Sequence, residues 1–222
     1  MKKITSLETQ KGNPGRVNIF LNNRYAFAVR LIDAAVLKQG QTLSQEEISL
    51  LKKADDQYKA YRTAINYLGY RARSQTETEH HLNRKGFSAD IIDQTISRLR
   101  RQKYINDLEF ARAWLKGRRR RKPASKSALR FELKQKGIDD KIIKDVLVDV
   151  DNSELARTCV EKKLRLWGDL GREDFKKKIL NYLKRRGFNY EVSLDAYQHA
   201  WSLLNNRNRP SFADRNQTLN RK

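Results

Sequence analysis

The stretch HLNRKGFS at residues 81–88 has two close relatives further along the chain, ELKQKGID at 132–139 and YLKRRGFN at 182–189. In each copy a leucine lies four residues before a glycine, cations lie between the two, and an apolar residue follows the glycine. The repeated glycines are Gly86, Gly137 and Gly187, which gives intervals of 51 and 50 residues. A period of this length indicates one supersecondary unit that the chain uses three times.

Each repeated glycine is predicted to end a helix. Glycine takes the left-handed conformation at the C′ position of a helix without the usual Cβ penalty. The cations just before it lie at the negative end of the helix dipole, and the apolar residue after it supplies the contact that accompanies such caps. The sequence therefore predicts one helix before each glycine and another after it.

Apolar residues at helical spacing mark these glycine helices. The third carries Phe175, Ile179 and Leu183 at i, i+4 and i+8. In the first, Thr78 stands where the second has Leu129. We therefore expect the first glycine helix to be more polar and more exposed than the others.

A further helix is predicted upstream of each glycine helix, over about 58–70, 106–119 and 151–167. The result is nine helices in three triplets. The predicted fold is all-α, with three tandem three-helix repeats forming an elongated curved array whose core is buried between neighbouring repeats.

The first thirty residues favour strands instead. ITSLETQ, RVNIFL and RYAFAV are rich in β-branched and aromatic residues, and the segments between them, Asn13-Pro14-Gly15 and Asn22-Asn23, are typical of hairpin turns. They predict a small antiparallel sheet. Two short helices are predicted to follow, one closed by Gly40 and one that starts at a Ser44–Glu47 capping box and ends near residue 53.

The predicted domain boundaries follow from these patterns. Residues 1–56 form an N-terminal β-hairpin extension with short helices, and 57–105, 106–150 and 151–204 form the three repeats. Residues 205–222 lack periodicity and are predicted to be a disordered basic tail.

The amino-acid composition indicates what kind of partner the protein binds. The chain of 222 residues has 48 Lys and Arg against 26 Asp and Glu, a formal charge of +22, which favours a polyanion. Residues 98–130 alone hold thirteen cations and two acids. The single cysteine, Cys159, excludes an internal disulfide. Without a secretion signal or an apolar run of about 20 residues, we expect a cytoplasmic monomer that does not enter a membrane.

Four stretches together resemble the RecX family, the bacterial regulators of the recombinase RecA. They are YRARSQTETEHHLNRKGF at 70–87, YINDLEFARAW at 104–114, LRFELKQKGI at 129–138 and ILNYLKRRGF at 179–188. The resemblance covers residues 58–201, and the predicted N-terminal sheet resembles an extension that only some members carry.

The resemblance implies a function as well as a three-helix-repeat fold. Proteins of this type bind in the helical groove of the RecA–DNA filament. There they usually inhibit strand exchange, the ATPase and the co-protease activity of RecA, and so act in DNA repair and the SOS response. The expected partners are the RecA nucleoprotein filament and DNA, single-stranded in preference to double-stranded. Neither enzyme activity nor a cofactor is implied.

Cations are the predicted binding residues. The run KGRRRRK at 116–122 is either a solvated loop or a ridge that contacts phosphates, because adjacent like charges repel unless an anion relieves them. The cations before the repeated glycines either complement helix dipoles or form a basic stripe. The predicted set is Arg71, Arg73, Arg98, Arg100, Arg101, Lys103, Arg112, Lys116, Arg118, Arg119, Arg120, Arg121, Lys122, Lys126, Arg130, Lys184, Arg185 and Arg186.

Aromatic residues are predicted to be core rather than platforms for nucleic-acid bases. This applies to Trp114, Trp167, Trp201, Tyr104, Phe110 and Phe131, and Tyr70 beside Arg71 is the one stacking candidate. Enzyme chemistry finds no support. His80 and His81 are adjacent and point to different helix faces, so they cannot share a metal, and Cys159 is predicted to be a core residue.

Two other functions remain open from the sequence. The chain is alternatively a general helical-repeat protein that binds nucleic acid without a dedicated protein partner. A third interpretation, a scaffold for an acidic protein, predicts binding in the absence of nucleic acid.

Overall fold

The computed structural model describes residues 1–207, and these form two compact units, Met1–Asn106 and one that begins at Asp107. The described residues are mostly helical with a small N-terminal sheet, which confirms the predicted fold class. The strands are β1 Lys2–Gln10, β2 Asn13–Leu21, β3 Arg24–Arg30 and β4 Thr42–Leu43. The helices are α1 Leu31–Ala34, α2 Gln45–Tyr70, α3 Gln75–Arg84, α4 Ala89–Arg101, α5 Asp107–Arg121, α6 Lys126–Gln135, α7 Asp140–Leu147, α8 Asn152–Glu161, α9 Leu164–Trp167, α10 Arg172–Lys184 and α11 Tyr190–Arg207.

The sheet is antiparallel with strand order β3-β2-β1-β4. Asn22 and Asn23 have φ angles of 50° and 62°, which is the hairpin turn predicted for them. The other predicted turn is wrong. The chain reverses at residues 11 and 12, and Pro14 lies within β2. Pro14 lies where the pairing of β1 with β2 is irregular, which suits a residue that has no N–H to donate.

One face of the sheet is buried against helix α2. Alternate strand residues such as Val17, Ile19 and Val29 form a core with Ile48 of α2. The short helix predicted to end at Gly40 is a single turn that already ends at Ala34. Gly40 instead donates its N–H to the Ile4 carbonyl at 2.8 Å, with φ +88°, and so holds the chain against β1.

A single helix, α2, replaces the two helices predicted near 44–53 and 58–70. Ser44 begins it with the predicted capping box. Its first half joins the sheet core through Ile48, and its second half joins the next core through Ala60 and Ala64. A continuous helix therefore serves both the sheet and the first triplet, and the predicted domain boundary between 56 and 57 falls inside it.

A buried ion pair lies midway along α2. The guanidinium of Arg16 on β2 donates from both terminal nitrogens to the two carboxylate oxygens of Asp55, each at 2.8 Å. Lys59, one turn further along, lies 2.7 Å from the same carboxylate. The Asp55 side chain is only 3% exposed, so these two cations compensate a charge that water does not reach.

The three repeated glycines close their helices as predicted. Gly86, Gly137 and Gly187 have φ angles of +84°, +73° and +82°. In every copy the residue after the glycine donates its N–H to the carbonyl of the repeated leucine, five residues back, and the glycine donates three residues back. This is the Schellman pattern, which satisfies carbonyls that the end of a helix leaves unpaired.

The apolar stripes of the glycine helices are buried. Phe175, Ile179 and Leu183 are fully buried in α10. The expectation of an exposed first glycine helix is wrong, because Thr78 is fully buried too. Its hydroxyl donates to the Ser74 carbonyl at 2.9 Å, so a polar residue is accommodated in the core without an unsatisfied group.

The second unit has one core rather than one for each repeat. Helices α5 to α11 all contribute to it, from Phe110 to Ala200. The helix predicted over 151–167 is divided into α8 and the single turn α9. Helix α11 extends to Arg207, beyond the predicted start of the tail at 205, and the rest of that tail, 208–222, lies outside the described residues. None of the helices described within 1–207 is both long and apolar enough to cross a bilayer.

Two of the repeated glycines make a matched test of packing. A Cβ on Gly86 would meet nothing within 4 Å, whereas one on Gly187 would lie 2.7 Å from Ser125 Oγ and 3.3 Å from Ala128 Cβ. Alanine should cost about 1–2 kcal/mol at either site because both have a left-handed backbone. Overpacking should add about 1–3 kcal/mol for Gly187→Ala. Urea denaturation followed by circular dichroism measures both, and equal losses would contradict the close contact.

Candidate functional site

Residues 116–121 of the arginine-rich run form the last turns of helix α5 and Lys122 follows directly, so the interpretation of the run as a loop between helices is wrong. Four arginines fill the last turn of this helix. Cations are favourable there because the carbonyl end of a helix carries partial negative charge. Lys162 adds one more, since its Nζ donates to the carbonyl oxygen of Arg120 at 2.7 Å.

Helical spacing divides the run between two faces of α5. Arg118 and Lys122, four residues apart, line a groove next to the end of α10. A second set, at i, i+4 and i+7, lines a smaller cleft of about 290 Å³ beside α7 and consists of Arg112, Lys116 and Arg119. Arg120 and Arg121 are exposed and line neither cleft.

We call the first cleft the basic groove. Its volume of about 600 Å³ falls within the range of ligand clefts, about 300–1,000 Å³. Five of its lining residues are cations and one is a carboxylate, so an anion is the ligand that its charge favours. The groove is lined by Arg118, Lys122, Ala124, Ala128, Glu132, Tyr182, Lys184, Arg185, Arg186 and Gly187.

Glu132 neutralises one of these cations. Both of its carboxylate oxygens accept hydrogen bonds from Arg118, and Trp114 Nε1 donates to it at 3.3 Å. By contrast, no acidic side chain within residues 1–207 pairs with Lys122, Lys184 or Arg185. These three cations are exposed and available to an incoming anion.

Arg186 has a structural role in the groove. Its guanidinium donates to the Pro123 carbonyl at 2.7 Å and lies 4.8 Å from the centre of the Tyr182 ring. Its own carbonyl accepts the N–H of Ser125 at 3.0 Å. Arg186 therefore holds the segment after α5 against the end of α10, and brings Lys122 close to the cations that precede Gly187.

Cys159 is buried next to Pro123, and its thiol is not activated for chemistry. Its Sγ donates to the Pro123 carbonyl at 3.4 Å, and the side chain is fully buried, as predicted for a core residue. Burial raises the pKa of the Cys159 thiol to about 11, although Arg186 and Lys162 oppose the shift. A thiol with this pKa is not a nucleophile near neutral pH.

The predicted cations of the first unit do not gather into one site. Arg71 pairs with Glu77 at 3.0 Å, and Arg73 lies 4.2 Å from the centre of the Tyr67 ring. Lys103, with φ +60°, closes α4 in the way that the repeated glycines close their helices. Arg100 is exposed on α4.

Among the predicted binding cations of the first unit, Arg98 and Arg101 share a cleft. This cleft has a volume of about 390 Å³ and lies between α2 and α4. Arg98 also covers the Tyr61 ring at 3.9 Å. The cleft contains Asp93 as well, so it carries less excess charge than the basic groove.

Two predicted cations on α6 lie outside the basic groove. Arg130 pairs with Asp140 at 2.9 Å, an acid that Lys134 also contacts at 3.2 Å. Lys126 is the first residue of α6, and its backbone N–H donates to Asn152 Oδ1 at 2.7 Å.

Most of the predicted core aromatics pack as expected, but two do not. Phe110 is buried, and the three tryptophans Trp114, Trp167 and Trp201 are half-buried against the core of the second unit. Tyr104 and Phe131 are exposed, so their assignment to the core is wrong. Phe131 lies on the solvent side of α6, and Tyr104 lies in the connection between α4 and α5. Tyr70 is exposed, as its stacking candidacy requires.

Glu132 and Tyr182 were not among the predicted site residues, although the repeat marks their position. They occupy the position just before the repeated leucine, where the first copy has His81. Each of the three contacts an aromatic ring from the preceding part of its unit. His81 stacks on Tyr67 at 3.9 Å, Glu132 accepts from Trp114, and Tyr182 meets Trp167 edge-on at 5.3 Å.

Family models match the chain in four places. The model of the regulatory protein RecX N-terminal domain matches residues 2–44, and the RecX first, second and third three-helix domains match 60–99, 106–147 and 149–196. Regulatory protein RecX of Bacillus licheniformis is 36% identical over 204 residues, which are 89% of this chain and 77% of that protein. The chain belongs to the RecX family. The RecX protein of Bacillus subtilis is likewise 36% identical, over 86% of this chain and 75% of its own length.

Solved RecX structures share the fold. A crystal structure of regulatory protein RecX superposes with a TM-score of 0.64 at 28% identity, over 86% of this chain and 97% of that one. RecX from Lactobacillus salivarius gives a TM-score of 0.58 at 28% identity, over 68% and 99%. In RecX terms the basic groove lies between the second and third three-helix domains, and the N-terminal sheet is the RecX N-terminal domain.

No group of three or more His, Cys, Asp or Glu residues within 1–207 is arranged to hold a metal ion. The chemistry that the described geometry favours is the binding of anions by Lys and Arg.

Proposed function

We propose that this protein regulates RecA by binding in the helical groove of the RecA–DNA filament. Its membership of the RecX family supports a regulatory role, and its charge of +22 supports a polyanionic target. The binding most simply inhibits strand exchange, the ATPase and the co-protease activity of RecA, and so limits recombination and the SOS response. The protein acts as a cytoplasmic monomer.

The basic groove is the observation that carries this proposal. It brings Lys122 together with Lys184 and Arg185, which lie more than sixty residues away in sequence, and none of them has an acidic partner within the described residues. A cleft in a helical protein that gathers unpaired cations is suited to the phosphates of a nucleic-acid backbone. Other exposed cations of the predicted set, such as Arg100, Arg120 and Arg121, contact DNA phosphates or acidic RecA surface.

Regulation is proposed to occur by occupancy, without catalysis or a cofactor. A protein bound along the filament blocks growth at its ends, promotes dissociation or slows ATP turnover. The second candidate function is general nucleic-acid binding, which the same groove favours because phosphate contacts carry no sequence information.

The two functions differ in stoichiometry. Titration of RecA with this protein, while DNA-dependent ATP hydrolysis is followed, should give inhibition well below one molecule per RecA protomer. A general nucleic-acid binder inhibits only when there is enough of it to coat the DNA. The titration is run at 50 and 200 mM salt, and inhibition that requires saturation of the DNA at both would contradict a RecA-directed role.

A further inference from the structure

Phe131 is an aromatic residue in an unexpected place. Helix α6 buries Leu129 and Leu133 on its inner side, but Phe131 between them is 62% exposed. Leaving a ring of this size in water forgoes the stabilisation of about 1.5–3 kcal/mol that burying it would bring. The exposed ring of Phe131 is therefore a candidate contact for a ligand.

The ring lies beside the basic groove. Ala128 and Glu132 of the same helix form part of the groove wall. Phe131 comes three residues after Ala128, and residues at this spacing are neighbours on a helix surface, about 5–6 Å apart at Cβ. Phe131 thus occupies the outer side of α6, next to the wall that faces Lys122 and the cations of α10.

The immediate neighbours of Phe131 on α6 argue against an apolar partner. At i−4, i+3 and i+4 it has Ser127, Lys134 and Gln135, which are all exposed, and at i−3 it has Ala128. A protein docking site would extend the apolar surface around its central aromatic residue. A single ring among polar and cationic side chains instead resembles the platforms on which proteins stack unpaired bases.

We propose that Phe131 is a base-stacking platform for single-stranded nucleic acid whose phosphates lie in the basic groove. This inference rests on the proposed function for the nature of the ligand and adds the residue that contacts its bases. In a duplex the faces of the bases are stacked on one another and closed to a side chain. A single strand can turn one base out onto the ring while Lys122, Lys184 and Arg185 contact the adjoining phosphates.

The test separates the base from the backbone. Full-length protein is titrated into a fluorescent thymidine oligonucleotide and into an oligonucleotide of equal length whose bases are all absent. Phe131→Leu keeps an apolar side chain but removes the ring, so affinity for the thymidine strand should fall roughly five- to a hundredfold. Affinity for the strand without bases should not change. Phe131→Trp should retain the affinity of the parent for both.

Leu166→Ala is the matched control, because Leu166 is an apolar side chain of the second unit that is 71% exposed and lies outside the groove. It should leave both affinities unchanged. If Phe131→Leu bound each strand with the same affinity as the parent, the stacking role would be overturned while nucleic-acid binding would stand. Failure of the parent to bind either strand would overturn the proposed function as well. An effect of Phe131→Leu that appears only when a protein partner is present would also count against the stacking role.

Discussion

Single-stranded DNA is expected to bind at least roughly fiftyfold more weakly at 0.15 M salt when Lys122, Lys184 and Arg185 are replaced by glutamate. Each phosphate contact on a single strand contributes about 0.7 to the dependence of log affinity on log salt. Removal of three contacts should therefore reduce that slope by about 2. Binding titrations at several salt concentrations measure both quantities together.

The three substitutions were chosen to leave the fold intact. Arg118 is omitted because it pairs with Glu132, and Arg186 because it donates to the Pro123 carbonyl. The matched control reverses three other exposed lysines of the same unit, Lys141, Lys144 and Lys177, with an identical change of net charge. If this control weakened binding as much, the effect would reflect overall charge and the groove would lose its special role.

A loss of about 3–5 kcal/mol in the stability of the first unit is expected for Asp55→Ala. The substitution leaves the guanidinium of Arg16 without its charged partner at the interface between β2 and α2, and only the Ala28 carbonyl, 3.0 Å from Nη2, still accepts from it. The three tryptophans all lie after Asp107, so tryptophan fluorescence reports on the second unit alone. Urea denaturation of the full-length chain should therefore show an early transition by circular dichroism that fluorescence does not detect.

Asp56→Ala is the control for this prediction, because the adjacent Asp56 is 53% exposed and lies 3.5 Å from Lys59. An exposed pair of this kind contributes at most about 1 kcal/mol. Comparable losses for the two variants would show that burial of Asp55 does not matter.

The Asp55 carboxylate should make the free energy of unfolding depend on pH in the acidic range. Burial alone would raise the pKa of Asp55, but hydrogen bonds from Arg16 and Lys59 outweigh it and hold the pKa below its ordinary value. The contribution of Asp55 is then fully present above the unfolded pKa of about 3.9 and is lost as pH falls through the folded pKa. The difference in stability between the parent and Asp55→Asn should be constant near neutral pH and shrink below about pH 4.

The repeat and its caps could be predicted from local sequence. A leucine, two or three cations and a glycine specify a helix end through contacts that span five residues, as the hydrogen bonds from Phe87, Ile138 and Phe188 show. The buried stripe of α10 follows from spacing along one helix. Such features depend on backbone geometry within a few residues, which the sequence records directly.

The burial of single residues and the continuity of helices were less predictable, because both depend on how the elements pack. Thr78 was predicted to make its helix more exposed, yet it is buried, and its hydroxyl donates to the carbonyl of Ser74, the N-cap residue of the same helix. The break predicted near residue 56 is absent because the sheet and the first triplet each pack on a different part of α2. Periodicity alone did not reveal that Phe131 faces solvent.

The sequence by itself thus determined the threefold repeat, the helix ends and the excess of positive charge, since these depend on residue type and short spacing. Only the tertiary structure decided which cations meet. Lys122 and Lys184 line one groove because the segment after α5 is hydrogen-bonded to the end of α10, and Asp55 is buried only because β2 lies across α2. Contacts between residues so far apart depend on how whole helices pack, and no local pattern encodes that packing.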